Sequence, residues 1–221
     1  MSRAQAGFGL LEALLALALG LMLLAAASQV FVAAYQAWRL QGAAARLQDD
    51  ARLALHRMAQ DIRMTGMSGC LRQQAITFDT AAAAQAFAQP LRITLAGDGR
   101  LDSLSLVLEQ LPGSARQPAW TLLTDCRSWA QVKEGRHPGN ERTLAFPIAR
   151  ITYQLRAGNL RRMSGSQAEA LIDHVRDLRA TLVPTAEGGR VDLQLTLFEP
   201  QQRIELQHEL SVALRNRLPE P

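Results

Sequence analysis

Few residues of this sequence combine the types and the spacing that catalysis needs. Asp173 and His174 could act as an acid–base pair beside one of several serines, but the sequence has no Gly-x-Ser-x-Gly elbow. It also has no P-loop and no Gly-x-Gly-x-x-Gly motif. Because neighbouring residues of a strand point to opposite faces of a sheet, we expect His174 to be an ordinary sheet residue. The sequence therefore predicts no enzyme and no catalytic residue.

The histidines and cysteines do not form the pattern of a metal site. The four histidines have no metal-ligand spacing, and the two cysteines, Cys70 and Cys126, do not form a Cys-x-x-Cys pair. We therefore expect no metal and no cofactor. In an oxidising compartment the two cysteines would form a disulfide, whereas in a reducing one they would be unpaired; two buried free thiols are the alternative.

Glu12 is the one charged residue in an otherwise apolar segment, residues 8–35. An ionised glutamate near the edge of the hydrocarbon costs about 2 to 3 kcal/mol, so it marks a function and needs a partner. The alternative is a glutamate that snorkels to the interface and suits the positive end of a helix. The residue types leave both interpretations open.

The segment that holds Glu12 is long enough to span a bilayer, because about 20 helical residues cross roughly 30 Å of hydrocarbon. A secretory signal peptide cleaved after Ala25–Ala27 is the alternative, but Glu12 and the helical pattern beyond Ala27 argue against it. The net charge of +4 is small and spread along the chain, so it indicates no nucleic-acid partner.

An amphipathic helix continues the apolar one over residues 36–65. Its apolar residues recur at steps of three, four or seven: Leu40, Ala44, Leu47, Ala51, Leu55, Met58 and Ile62. The sequence therefore predicts one helix from Phe8 to Thr65, ended by Gly66, whose second half lies against a globular body.

The start of the chain resembles the class III signal of type IV pilins and type II secretion pseudopilins. The residues that carry this resemblance are Gly7-Phe8-Gly9-Leu10-Leu11-Glu12, behind a leader that contains Arg3. Gly9 and Leu11 depart from the residues usual at those positions. The resemblance implies that a prepilin peptidase removes residues 1–7 by cutting after Gly7 and methylates the amine of Phe8. It also implies that Glu12 docks on the amino terminus of a neighbouring subunit.

Three further segments resemble minor pilins of the PilW type. They are Asp61–Cys70 at the helix exit, Thr124–Cys126, and Val212–Pro219 near the chain's end. This resemblance implies a Cys70–Cys126 disulfide and a role in priming pilus assembly, at the filament tip with other minor pilins. The implied partners are those pilins, the major pilin, the prepilin peptidase, the inner-membrane assembly platform and a tip adhesin. A minor pseudopilin of the J type in a type II secretion system is the alternative.

The resemblance places the N-terminus in the cytoplasm, a single span in the bacterial inner membrane and the head, residues 66–221, in the periplasm before entry into the pilus. Arg39, Arg46 and Arg52 follow the span and favour the opposite topology by the positive-inside rule, which is weak for long folded regions. The rival from another class is a membrane-anchored binding protein that never polymerises.

Past Gly66 the apolar pattern changes to a period of two, which predicts strands at 91–95, 101–108, 148–155, 160–163, 175–183, 191–198 and 204–214. Residues 81–88 are a short helix or a loop. The fold class is therefore α+β and pilin-like: a long N-terminal helix, membrane-spanning and then amphipathic, packed on an antiparallel β-sheet head.

Overall fold

The computed structural model describes residues 9–67, 70, 75–110, 116–185 and 188–219. The helices are α1 (Leu10–Met64) and α2 (Ala81–Ala88). The strands are β1 (Ile76–Phe78), β2 (Leu91–Leu95), β3 (Leu101–Glu109), β4 (Trp120–Thr124), β5 (Ala130–Glu134), β6 (Leu144–Arg156), β7 (Asn159–Ser164), β8 (Gln167–Ile172), β9 (Val175–Thr185), β10 (Gly188–Glu199) and β11 (Ile204–Ala213). This order confirms the α+β class.

Helix α1 confirms the long N-terminal helix of the sequence analysis. It ends at Met64, one residue before the predicted end, while Phe8 lies outside the described residues. Gly66 follows with a φ of +78°, a left-handed conformation that favours glycine and ends the helix. The hydroxyl of Thr65 donates to the carbonyl of Asp61 at 2.9 Å and satisfies one carbonyl of the last turn.

The chain divides into two compact units, residues 1–45 and residues 46–221. In the first unit, every described residue from 9 to 41 is exposed. In the second unit, the predicted apolar stripe of α1 is buried from Leu47 to Ile62. Leu40, which the pattern placed on the same stripe, is 42% exposed.

The strands of the second unit form two sheets rather than the single antiparallel series that the sequence predicted. Among the described residues, the larger sheet has eight strands in the order β1-β5-β4-β6-β3-β2, and β6 also pairs with β7, which pairs with β8. All of these pairs are antiparallel except β1 with β5. The smaller sheet has the order β11-β10-β9 and is antiparallel throughout.

The amphipathic half of α1 packs with both sheets in one apolar core. Buried members include Met58 and Ile62 of α1, Leu104 of β3 and Leu195 of β10, each 0% exposed. The alternation of β10 places its leucines inside and its polar residues outside, as its sequence predicted. A second apolar cluster joins α2 to β1, β4 and β5.

Candidate functional site

Glu12 lies in the first turn of α1 and caps the start of that helix. The backbone N–H of Gly9 donates to Glu12 Oε2 at 3.2 Å, and the N–H of Glu12 donates to the carbonyl of Gly9 at 3.0 Å. The first bond is the glutamate half of a capping box, since Gly9 has no side chain to supply the other half, and the second is a backbone bond of the first turn. The carboxylate remains exposed. Gly7 and Phe8 lie outside the described residues, so their processing, like docking by Glu12, stays a prediction.

The exposed part of α1 presents a large apolar surface. It is long and apolar enough to cross a membrane, and none of the residues in its most apolar window is buried. Leu10, Leu23 and Phe31 are each more than two thirds exposed. Apolar surface of this extent is costly in water and is covered by lipid or by other apolar surfaces.

Cys70 and Cys126 form a disulfide in the structure, with their Cα atoms 5.4 Å apart. Cys126 has a φ of +55°, a left-handed backbone conformation that residues other than glycine rarely adopt. The carboxylate of Asp125 holds this turn by accepting hydrogen bonds from the hydroxyl and N–H of Ser128 and from the N–H groups of Arg127 and Trp129. Those bonds hold the pKa of Asp125 below its usual range. The bridge ties the segment after α1 to the turn between β4 and β5.

A buried polar network, which the sequence analysis missed, joins α1 to the larger sheet. Asp61 Oδ2 accepts from the hydroxyl of Tyr153 at 2.7 Å and from Arg162 Nε at 2.8 Å. Arg57 Nε lies 3.9 Å from the same oxygen. Burial, together with the negative charge of Asp61, raises the pKa of Tyr153, so the hydroxyl stays protonated and donates.

The sequence contains a signal for this network. Asp61 is 7% exposed and adjoins Ile62 on the buried side of α1, although aspartate is seldom buried without a partner. Arg162 is two positions from the buried Leu160 in β7, so the period-two alternation places its side chain on the inner face. Two opposite charges on inward positions predict a buried ion pair.

His174 corrects another expectation. It lies in the turn between β8 and β9 with a φ of +58°, not on a strand. Its side chain therefore meets that of Asp173, with Nδ1 2.9 Å from Oδ1, while Nε2 lies 3.3 Å from Glu199 Oε2. The ring is thus held between two carboxylates, and neither contact involves a serine.

Within the described ranges, no group of three or more His, Cys, Asp or Glu residues is placed to hold a metal ion. The arrangement around Glu12, the disulfide and Asp61 stabilises the fold. The described contacts at these three places are hydrogen bonds, ion pairs and a covalent bridge.

Residues 2–28 match the family model described as prokaryotic N-terminal methylation motif. No curated protein and no solved structure matches the chain significantly. The matched residues include Gly7, Phe8 and Glu12 and the first part of α1. The motif implies processing by a prepilin peptidase and a pilus or pseudopilus assembly machinery, and proteins that carry it are generally structural subunits. The methylation motif, the long apolar helix and the β head together support a type IV pilin-like or pseudopilin protein.

Proposed function

We propose that this chain is a minor pilin of the PilW type that takes part in priming assembly of a type IV pilus. It acts at the filament tip together with other minor pilins. The observation that carries the proposal is the methylation motif at the start of a helix whose residues are exposed from 9 to 41. A bilayer before assembly, and the helices of neighbouring subunits after it, would cover that surface.

The domain organisation follows from this proposal. Residues 1–7 are the leader, residues 8–35 are the span and later the filament core, and residues 36–65 are the amphipathic half-helix. Residues 66–221 are the periplasmic head. The disulfide of Cys70 and Cys126 suits the oxidising periplasm and so supports a cytoplasmic N-terminus.

Processing gives the first test. Mass spectrometry of the purified protein should find a mature N-terminus at Phe8 carrying a methyl group, and Gly7→Val should leave the leader attached. The mature protein should also be found in the sheared filament fraction. A mature N-terminus at Met1, or after Ala27, would contradict the proposal and favour a membrane-anchored protein that never polymerises.

Glu12 gives the second test, because the structure separates two roles of its carboxylate. Glu12→Gln keeps an acceptor for the N–H of Gly9, and glutamine also serves in a capping box, but it removes the negative charge. If Glu12 docks on the amino terminus of a neighbouring subunit, both Glu12→Gln and Glu12→Ala should remain in the membrane and be lost from filaments.

The exposed Glu141 of the head supplies the matched control, since Glu141→Ala removes one charge without touching α1. This control should enter filaments normally. Normal incorporation of Glu12→Gln, with loss of Glu12→Ala, would show that the glutamate acts as a helix cap and would remove the docking role. Recovery of the chain with a secretion pseudopilus instead of sheared pili would favour the J-type pseudopilin.

A further inference from the structure

A pocket of about 680 Å³ opens beside the C-terminal end of α1, within the unit formed by residues 46–221. Its volume falls in the range of roughly 300 to 1,000 Å³ that is typical of ligand pockets. Most of the lining residues come from α1, β3, β6 and β7, whereas Gln110 and Arg116 lie between β3 and β4. The pocket is therefore framed by regular elements and is bordered by the buried Asp61 network.

Two buried polar atoms at this pocket have no hydrogen-bond partner. Arg162 is 5% exposed and Gln110 is 8% exposed, and both line the pocket. Arg162 Nη1 and Gln110 Oε1 are each without a partner. Glu169 Oε2 lies 4.0 Å from Arg162 Nη1, which is beyond hydrogen-bond distance. An unpaired buried polar group is costly, so both atoms point to a ligand that completes them.

The two unpaired atoms need different hydrogen-bond partners. Arg162 Nη1 is a charged donor, so it calls for an anionic acceptor, and the planar guanidinium suits a carboxylate. Gln110 Oε1 is an acceptor, so it calls for an N–H or O–H donor. A ligand that satisfies both atoms carries a carboxylate and a separate N–H or O–H donor.

The charge of the pocket favours an anion. Four arginines line it: Arg57, Arg63, Arg116 and Arg162. Asp61 and Glu109 are the lining carboxylates, and the arginines still outnumber the acids when Glu169, 3.2 Å from Arg116, is counted with them. Arg57 and Arg116 have side chains that are 41% and 40% exposed, so the positive rim reaches solvent.

We propose that this pocket binds an acidic peptide segment of another protein chain. The acidic side chain accepts from Arg162 Nη1, a backbone N–H of the segment donates to Gln110 Oε1, and a neighbouring apolar side chain lies on Leu108 and Ile151. A simple organic acid carries the carboxylate but lacks the amide donor. The proposal rests on residues 57–164 and does not depend on the pilin assignment.

The test uses the full chain in detergent micelles and a blocked leucyl-glutamate dipeptide as the probe. A blocked leucyl-glutamine dipeptide is the neutral control, and glutarate represents a free organic acid. Calorimetry should show the acidic dipeptide binding at least about tenfold more tightly than either control, as expected for a hydrogen bond to a charged group. In an NMR titration with the acidic dipeptide, the chemical shift of the Arg162 side-chain nitrogen should change and give the same dissociation constant.

The Gln110→Leu variant tests the second contact, because Arg162 is also the partner of Asp61 and its replacement could prevent folding. Gln110→Leu should weaken acidic-dipeptide binding about fivefold. It should not lower the unfolding midpoint, since it removes a buried polar atom that is unpaired without ligand. The matched control is Gln194→Leu on the exposed face of β10, which should leave binding unchanged.

Equal affinity for the acidic and neutral dipeptides would overturn the proposal and would leave the pocket filled by water only. Glutarate that binds as tightly as the acidic dipeptide would overturn the assignment to a peptide. Unchanged acidic-dipeptide affinity in Gln110→Leu would overturn the role of the amide donor.

Discussion

Substitutions in the Asp61 network test how much this buried ion pair stabilises the packing of α1 on the larger sheet. Asp61→Asn keeps the shape of the side chain but removes the negative charge that faces Arg162 Nε at 2.8 Å. At that distance the attraction is about 6 kcal/mol with an effective dielectric constant of 20, before the cost of desolvating both charges. Because Arg162 would stay buried with only the distant Glu169 carboxylate, 4.0 Å from Nη1, as a counter-charge, we expect the free energy of unfolding to fall by about 3 to 5 kcal/mol.

Substitutions at the partners of Asp61 distinguish the contribution of charge to stability from that of packing. Tyr153→Phe removes one hydrogen bond to a charged acceptor, so the expected loss is about 1.5 to 3 kcal/mol. Asp61→Leu combined with Arg162→Met and Tyr153→Phe replaces the whole network by apolar groups, and much of the loss should be recovered. The three changes should therefore be far from additive.

The assay is urea unfolding of the full chain in detergent micelles, followed by fluorescence of Trp120, which is 6% exposed in the core. Equal slopes of free energy against urea would be required for the comparison. A loss below about 1 kcal/mol for Asp61→Asn would refute a buried ion pair at this position. Additive losses in the combined variant would refute the network as a unit.

Three other predictions concern stability. Replacing Cys70 and Cys126 by serine should lower the free energy of unfolding by about 4 kcal/mol in the chain-entropy model, because the bridge closes a loop of 56 positions; urea unfolding with and without reductant measures this. Burial raises the pKa of Asp50, so this carboxyl group is still protonated in the folded state at pH values where it has already ionised in the unfolded state. Stability should therefore fall as pH rises from about 4 through the raised pKa, and Asp50→Asn should reduce that fall in melting scans against pH. A Cβ on Gly139 would lie 2.5 Å from a backbone carbonyl oxygen, so Gly139→Ala should cost about 1 to 3 kcal/mol, while Gly97→Ala, which has open space, should melt near the parent.

The sequence predicted the elements that have long, regular patterns. Helix α1 and strands β3, β10 and β11 were found close to their observed bounds, because their apolar residues repeat over many positions. Strands β1, β4, β5 and β8 were missed. Their three to six residues carry too few alternating positions, and β8 is mostly exposed.

The division into two sheets was also beyond the sequence. Which strands pair is decided by distant contacts, such as the parallel pairing of β1 with β5 across more than fifty positions. For a similar reason, the sequence predicted only the local part of the candidate site. The motif around Glu12 is local, whereas Asp61 meets Tyr153 and Arg162 across 92 and 101 positions, respectively. The sequence places Asp61 and Arg162 each on an inward-facing position, but the fold decides that these two charges pair.

The polar contacts at the C-terminal end of α1 fix the position of this end of the helix, along its axis, against the sheets. The buried stripe of α1 repeats every three or four residues and includes Ala51, Ala54 and Ala59, so its apolar packing distinguishes poorly between positions one turn apart. A shift of one turn moves side chains about 5.4 Å and would break the bonds of 2.7 and 2.8 Å to Asp61. The amide of Asn216 adds a second directional contact, donating to the carbonyl of Thr65 at 2.9 Å. Directional bonds therefore set the register that apolar burial alone leaves open.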